Sequence, residues 1–102
     1  MQKIQILVVG RNAEIVATVV RLINNTPAWN ATSSLTDEGA VTACLAQHFD
    51  LVLFGGGIEP AEDAALRRAL NHQQPGIHII QHYGGGSGLL TSEINLALAS
   101  LQ

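Results

Sequence analysis

His48-Phe49-Asp50-Leu51-Val52-Leu53-Phe54, running straight into Gly55-Gly56-Gly57, is the stretch that decides the fold. An unbroken apolar run of this length, bounded by glycine, marks a strand covered on both faces, which is the condition parallel sheets impose. Ile6-Leu7-Val8-Val9 into Gly10 repeats the pattern near the start of the chain. Ile77-His78-Ile79-Ile80 into Gln81-His82-Tyr83-Gly84-Gly85-Gly86 repeats it near the end. As parallel strands of an open α/β sheet, the three bring their C-terminal ends to one edge, where such sheets place their chemistry. At the first two strand ends that edge has no side chain, or only Arg11 and Asn12.

The segments between these runs read as helices and one weaker strand. Ala13 to Asn24 carries Ile15, Val16, Val19, Val20, Leu22 and Ile23 at helical spacing, with Asn12 as N-cap and Asn24-Asn25-Thr26-Pro27 as the stop. Trp29 to Leu35 alternates weakly and is rich in small polar residues, as an edge strand is. Thr36 is placed to cap a second helix through Gln47 that buries Ala40, Val41, Cys44 and Leu45. Glu59-Pro60 opens a third helix, with proline at a first-turn position and Glu62 and Asp63 favoured by the helix dipole. Leu66, Ala69 and Leu70 form its buried stripe, Gln74-Pro75-Gly76 ends it, and Ile77 to Gln81 is the fourth strand. Tyr83-Gly-Gly-Gly-Ser-Gly88 is too short and too glycine-rich for a crossover helix, since glycine costs about 1 kcal/mol per helical position relative to alanine. Only Leu89-Leu90 then remains for a vestigial fifth strand, before Thr91 caps a last helix burying Ile94, Ala97, Leu98 and Leu101.

Residues 1–102 therefore read as a single domain with one core. Charged residues make up 13% of the chain, about half the usual share, so part of the surface is expected to lie against another chain, most simply a second copy. The exposed set expected in such a homodimer runs from Tyr83 to Leu101. It includes Tyr83, Leu89, Leu90, Leu96 and Leu98, with Ile79 beside them, because no helix covers that side of the fourth strand. The net charge is −3, and the five basic residues, Lys3, Arg11, Arg21, Arg67 and Arg68, are scattered, which excludes a nucleic-acid footprint. No run approaches membrane-spanning length, so the expectation is a cytoplasmic protein with no membrane partner. The single Cys44 reads as a small hydrophobe on a buried helix face.

At His48 to Phe54, set beside Ile6-Leu7-Val8-Val9, the chain resembles a response-regulator receiver domain of two-component signalling. The resemblance extends through the fourth strand. It implies a flavodoxin-like, doubly wound parallel sheet of order 2-1-3-4-5, here with the fourth helix missing and the fifth strand vestigial. It also implies where phosphorylation chemistry would stand. Receivers hold Mg²⁺ with an acidic pair after the first strand, accept phosphoryl on an aspartate ending the third, and end the fourth and fifth with Ser/Thr and Lys. Carried over by position, these fall on Gly10 and Arg11, on Gly55, near Gln81 or His82, and near Thr91 and Ser92. Mg²⁺ needs oxygen ligands and phosphoryl transfer needs a nucleophile, so the chain resembles a pseudo-receiver. The expected function is a non-enzymatic protein-interaction module in bacterial signalling, with no cofactor and an unidentified signalling protein as partner.

A second reading starts from the glycines. Backbone N–H groups of Gly10, Gly55, Gly56, Gly84, Gly85 and Gly86, with Arg11 and Asn12, could cradle an anion or nucleotide phosphate, although no dinucleotide or P-loop motif is present. His78 and His82 fall at i, i+4 of a strand, about 13 Å apart, too far to share a metal. Ser87 has no orienting acid near it in sequence, His72 reads as structural or solvent-exposed, and His48 reads as a helix-terminal residue, favourable to the helix dipole when protonated.

Overall fold

The structure, a computed structural model, describes residues 3–81 and 90–99. The elements alternate as β1 (Ile4–Val9), α1 (Ala13–Asn24), β2 (Trp29–Ser34), α2 (Asp37–Ala46), β3 (Leu51–Phe54), α3 (Pro60–Gln73), β4 (Ile79–Gln81) and α4 (Leu90–Ala99). The strands form one parallel sheet of order β2-β1-β3-β4, consistent with a flavodoxin-like α/β fold. Val9 pairs with both Ser34 and Phe54, and Phe54 with Gln81, so all four strands end level at one edge.

The unbroken apolar runs make sense once the sheet has helices on both faces. Side chains alternate across a strand. Ile6, Val8, Leu51 and Leu53 enter one core with Val16, Val19 and Ile23 of α1 and Leu90, Ile94 and Ala97 of α4. Leu7, Val9, Val52 and Phe54 enter the other with Phe49, with Ala40 and Cys44 of α2, and with Leu66 and Leu70 of α3. Each run thus serves two cores. Trp29 is the one buried residue of the weakly patterned β2, which lies at the sheet edge as its composition anticipates.

The helix starts are those the caps dictate. The Asn12 side chain accepts from the Ile15 N–H at 3.0 Å, and the Thr36 hydroxyl from the Gly39 N–H at 3.0 Å. Glu59 and Glu62 form a capping box around Pro60. Each cap satisfies N–H groups that have no partner within their helix.

Two expectations are corrected. Leu90 is not part of a strand and not exposed: it opens α4 and is 2% accessible, because Leu90, Ile94 and Ala97 at i, i+4 and i+7 form the stripe that α4 lays on the sheet. Leu45 is 67% exposed rather than buried, because it lies one residue past Cys44 and is rotated off the Ala40–Cys44 face. Leu98 is half-buried against the α1–α4 core, leaving it little surface for a partner, whereas Leu96 is 73% exposed. Tyr83, Leu89 and Leu101, and the path of the glycine-rich segment with any strand at residue 89, lie outside the described residues.

Candidate functional site

The level strand ends place Gly10 and Gly55 side by side. A Cβ on Gly10 would meet the Val16 Cγ2 at 2.8 Å and the Gly55 Cα at 3.7 Å. The main chain uses this proximity. The Gly55 N–H donates to the Val9 carbonyl at 2.7 Å, the Gly10 N–H to the Ser34 carbonyl at 3.2 Å, and the Arg11 N–H to the Gly56 carbonyl at 3.4 Å. The turns after β1 and β3 are therefore bonded to each other, with no cleft between their backbones.

Arg11 closes the edge above them. Its stem lies over Gly57, where a Cβ would stand 2.9 Å from the Arg11 Cβ and where φ is +89°, so both the fold of the turn and the position of Arg11 call for glycine there. Its guanidinium forms an ion pair with Asp37 at the start of α2, donates to the Leu35 carbonyl at 3.1 Å and lies 3.7 Å from Glu62 in the first turn of α3. One side chain thus joins the turns after β1, β2 and β3. The carboxylates gain from both the cation and the helix dipoles at whose positive ends they stand. With Asp37, Glu38, Glu59, Glu62 and Asp63 clustered at the two helix starts, the rim is acidic around a single embedded arginine.

These residues do not fit a Mg²⁺ site. Gly10 and Gly55 offer no oxygen-bearing side chain, and the nearest carboxylates of α2 and α3, Asp37 and Glu62, are drawn to Arg11. The fold brings Gly10, Arg11, Asn12, Gly55 and Gly56 together, but the N–H groups of Gly10, Arg11 and Gly55 already donate to carbonyls, and the Asn12 side chain caps α1. Gly84 and Gly85 lie outside the described residues. The crevice beside Gly55 and Gly56 is lined by Val8, Ile15, Val16, Val19 and Leu53 and has ≈ 10 Å³ of free space, room for about one water molecule.

The residues the sequence did not point to are Asp37 and Glu62. Their only trace in the sequence is an acidic residue in the first turn of each helix, which dipole preference alone explains. His48 and His72 are exposed, the His48 ring meets the Gln74 amide at 3.1 Å, and no metal-binding group of three appears among the described residues, which do not include His82. Cys44 is buried as its pattern implies, and burial pushes its thiol pKa up, away from the nucleophilic thiolate.

No protein-family model and no curated protein matches the sequence. Solved structures do match in shape. The lactose-specific IIB component domain of the phosphoenolpyruvate:carbohydrate phosphotransferase system from Streptococcus pneumoniae superposes with a TM-score of 0.66 at 16% identity, covering 98% of this chain and 95% of that one. The receiver domain of the hybrid histidine kinase CckA gives 0.65 at 14% identity, over 92% of this chain and 98% of that one. A pilus assembly-related protein from Burkholderia pseudomallei gives 0.61 at 20% identity, over 95% of this chain and 71% of that one. Identities this low speak to architecture alone, and the chain shares the flavodoxin-like α/β fold of a receiver domain and a phosphotransferase IIB domain.

Proposed function

We propose that this chain is a receiver-like module that binds other proteins and does not take part in phosphoryl transfer. The observation that carries this reading is Arg11, whose guanidinium pairs with Asp37 and approaches Glu62 at the very edge where a receiver would bind Mg²⁺. A fixed cation there removes the reason for a metal, and Gly55 at the end of β3 has no nucleophile to offer. The shape likeness to the CckA receiver and to a pilus assembly-related protein favours a role inside a larger bacterial signalling or assembly apparatus. The experiment is intact-mass analysis after incubation with acetyl phosphate and Mg²⁺: the expected result is an unmodified chain, and a stable phosphoryl adduct would overturn the reading.

Self-association belongs to the same proposal. With Leu90 buried, the surface shifts to the outer side of α4, where Leu96 is 73% exposed beside a groove formed with Ile80, Gln81, Glu93 and Ala97. Burying such a surface contributes about 25 cal/mol per Å², part of which association costs offset. Light scattering coupled to size exclusion at micromolar concentration should show a dimer that Leu96→Glu converts to monomer. A monomer mass for the unaltered chain rejects the dimer.

A further inference from the structure

We infer that the groove between α3 and β4 receives an acidic, partly apolar segment of a partner protein. This rests on the reading of the chain as a protein-binding module and names the chemistry of what it binds. The groove is a shallow, open depression between Arg67, Arg68 and Asn71 of α3 and Ile77, His78 and Ile79 at the start of β4. None of these lining residues is acidic. Arg67 is held in place: its Nε donates to Asp63, and its guanidinium lies 5.1 Å from the centre of the Phe54 ring. Arg68 is exposed and makes no ion pair with any described residue, so its charge sets the sign of the groove. Of the five basic residues on a chain of net charge −3, two adjacent ones line this groove, and because Asp63 offsets the charge of Arg67, Arg68 carries its net positive charge.

The apolar component selects a peptide over a simple anion. Ile77 and Ile79 are half-buried, pack against the α2–α3 core and lie two residues apart. An extended segment repeats its side chains on one side at the same interval, about 6.6 Å. Apolar residues at alternate positions would cover Ile77 and Ile79, and an acidic residue two positions before or after them, on the same side of the segment, would meet Arg68. A polyanion without apolar groups would satisfy Arg68 and leave both isoleucines in water.

The test is an NMR titration of the ¹⁵N-labelled full chain at low ionic strength with the acetylated heptapeptide Glu-Ser-Val-Ser-Val-Ser-Glu, which carries glutamate and valine on the same side when extended, alongside the counterpart with lysine in place of glutamate and inorganic polyphosphate. Saturable shifts at Arg67, Arg68, Asn71, Ile77, His78 and Ile79 with the glutamate peptide alone are expected. Arg68→Glu should weaken that binding by about tenfold, and the exposed control Lys3→Glu should leave it unchanged. The spectrum of each variant outside the substituted region reports that it is folded. No shifts, shifts centred elsewhere, equal binding of the lysine peptide, or polyphosphate binding the groove as tightly would each overturn the inference. The peptide arms contain neither a phosphoryl donor nor Mg²⁺, so failure here is distinguishable from a phosphoryl adduct in the acetyl phosphate experiment.

Discussion

The two ends of the sheet are held together in different ways. At the N-terminal end hydrogen bonds between main-chain and side-chain amides do most of the joining, with the Asp50 carboxylate as one acceptor. The Gln5 N–H donates to Asp50 Oδ2 and the Asp50 N–H to the Gln5 carbonyl, both at 2.8 Å, while the Gln5 side chain accepts from Asn30 at 2.9 Å and Gln47 at 3.1 Å. Gln74 clasps the main chain of Phe49 from both sides, accepting at 3.0 Å and donating at 2.6 Å. At the C-terminal end a single charged residue, Arg11, spans three turns above two glycines packed against each other. In an open α/β sheet the C-terminal end is the one left free for a ligand. Here the Arg11 side chain bridges the turns after β1, β2 and β3 through charge, so stability at this end should respond to salt while the opposite end should not.

Substitutions at the two ends sharpen this contrast. Placing a carboxylate at the end of β1, Gly10→Asp, should be the most damaging. Its Cβ would overlap the buried Val16 methyl at 2.8 Å and its charge would be pressed into the core, a loss of about 2–4 kcal/mol in urea unfolding. A near-neutral result would mean that the two turns can part, and the closed edge would be open to ligands after all.

Gln74→Ala comes next. It leaves the Phe49 N–H and carbonyl without their partner, which costs about 1–3 kcal/mol, with no change between low and high salt. A salt-dependent loss would break the distinction between the ends. Arg11→Met keeps the stem over Gly57 and removes the charge. Because its partners are partly exposed, at 42% and 46%, the expected loss is only about 1 kcal/mol at low salt, falling toward zero in 1 M NaCl as screening takes hold. The same variant should gain no thermal stabilisation from phosphate or nucleotides, and neither should the unaltered chain. A shift of several degrees in the unaltered chain that Arg11→Met abolishes would favour an anion site instead.

Gly55→Asp should be the mildest. A Cβ there would stand 3.6 Å from the Val9 carbonyl and 3.8 Å from the Gly10 Cα, ordinary contacts, so stability should change by less than about 0.5 kcal/mol. Glycine at Gly10 is required by packing, whereas glycine at Gly55 is not, a difference that denaturation of the two variants side by side would show directly.

The alternation of strands and helices was legible in the chain, because each element depends on local rules. The apolar runs at Ile6–Val9 and Leu51–Phe54 demanded cover on both faces, and Asn12, Thr36 and Pro60 marked the helix starts within a residue. Local rules failed where two readings were equally local. Leu89-Leu90 fits a short strand or a helix start, and the choice fell to Ile94 and Ala97, which fix the buried stripe of α4 only once the sheet is there to receive it. The candidate edge was legible as a set of glycines and one arginine, but its state was not. Whether Arg11 faced a ligand or the protein depended on Asp37, 26 residues away, and on Glu62 beyond it, and no periodicity links residues at such separations. The tertiary structure alone decided that the carboxylates of α2 and α3 meet Arg11, because only the parallel stacking of β2, β1 and β3 brings the three turns level.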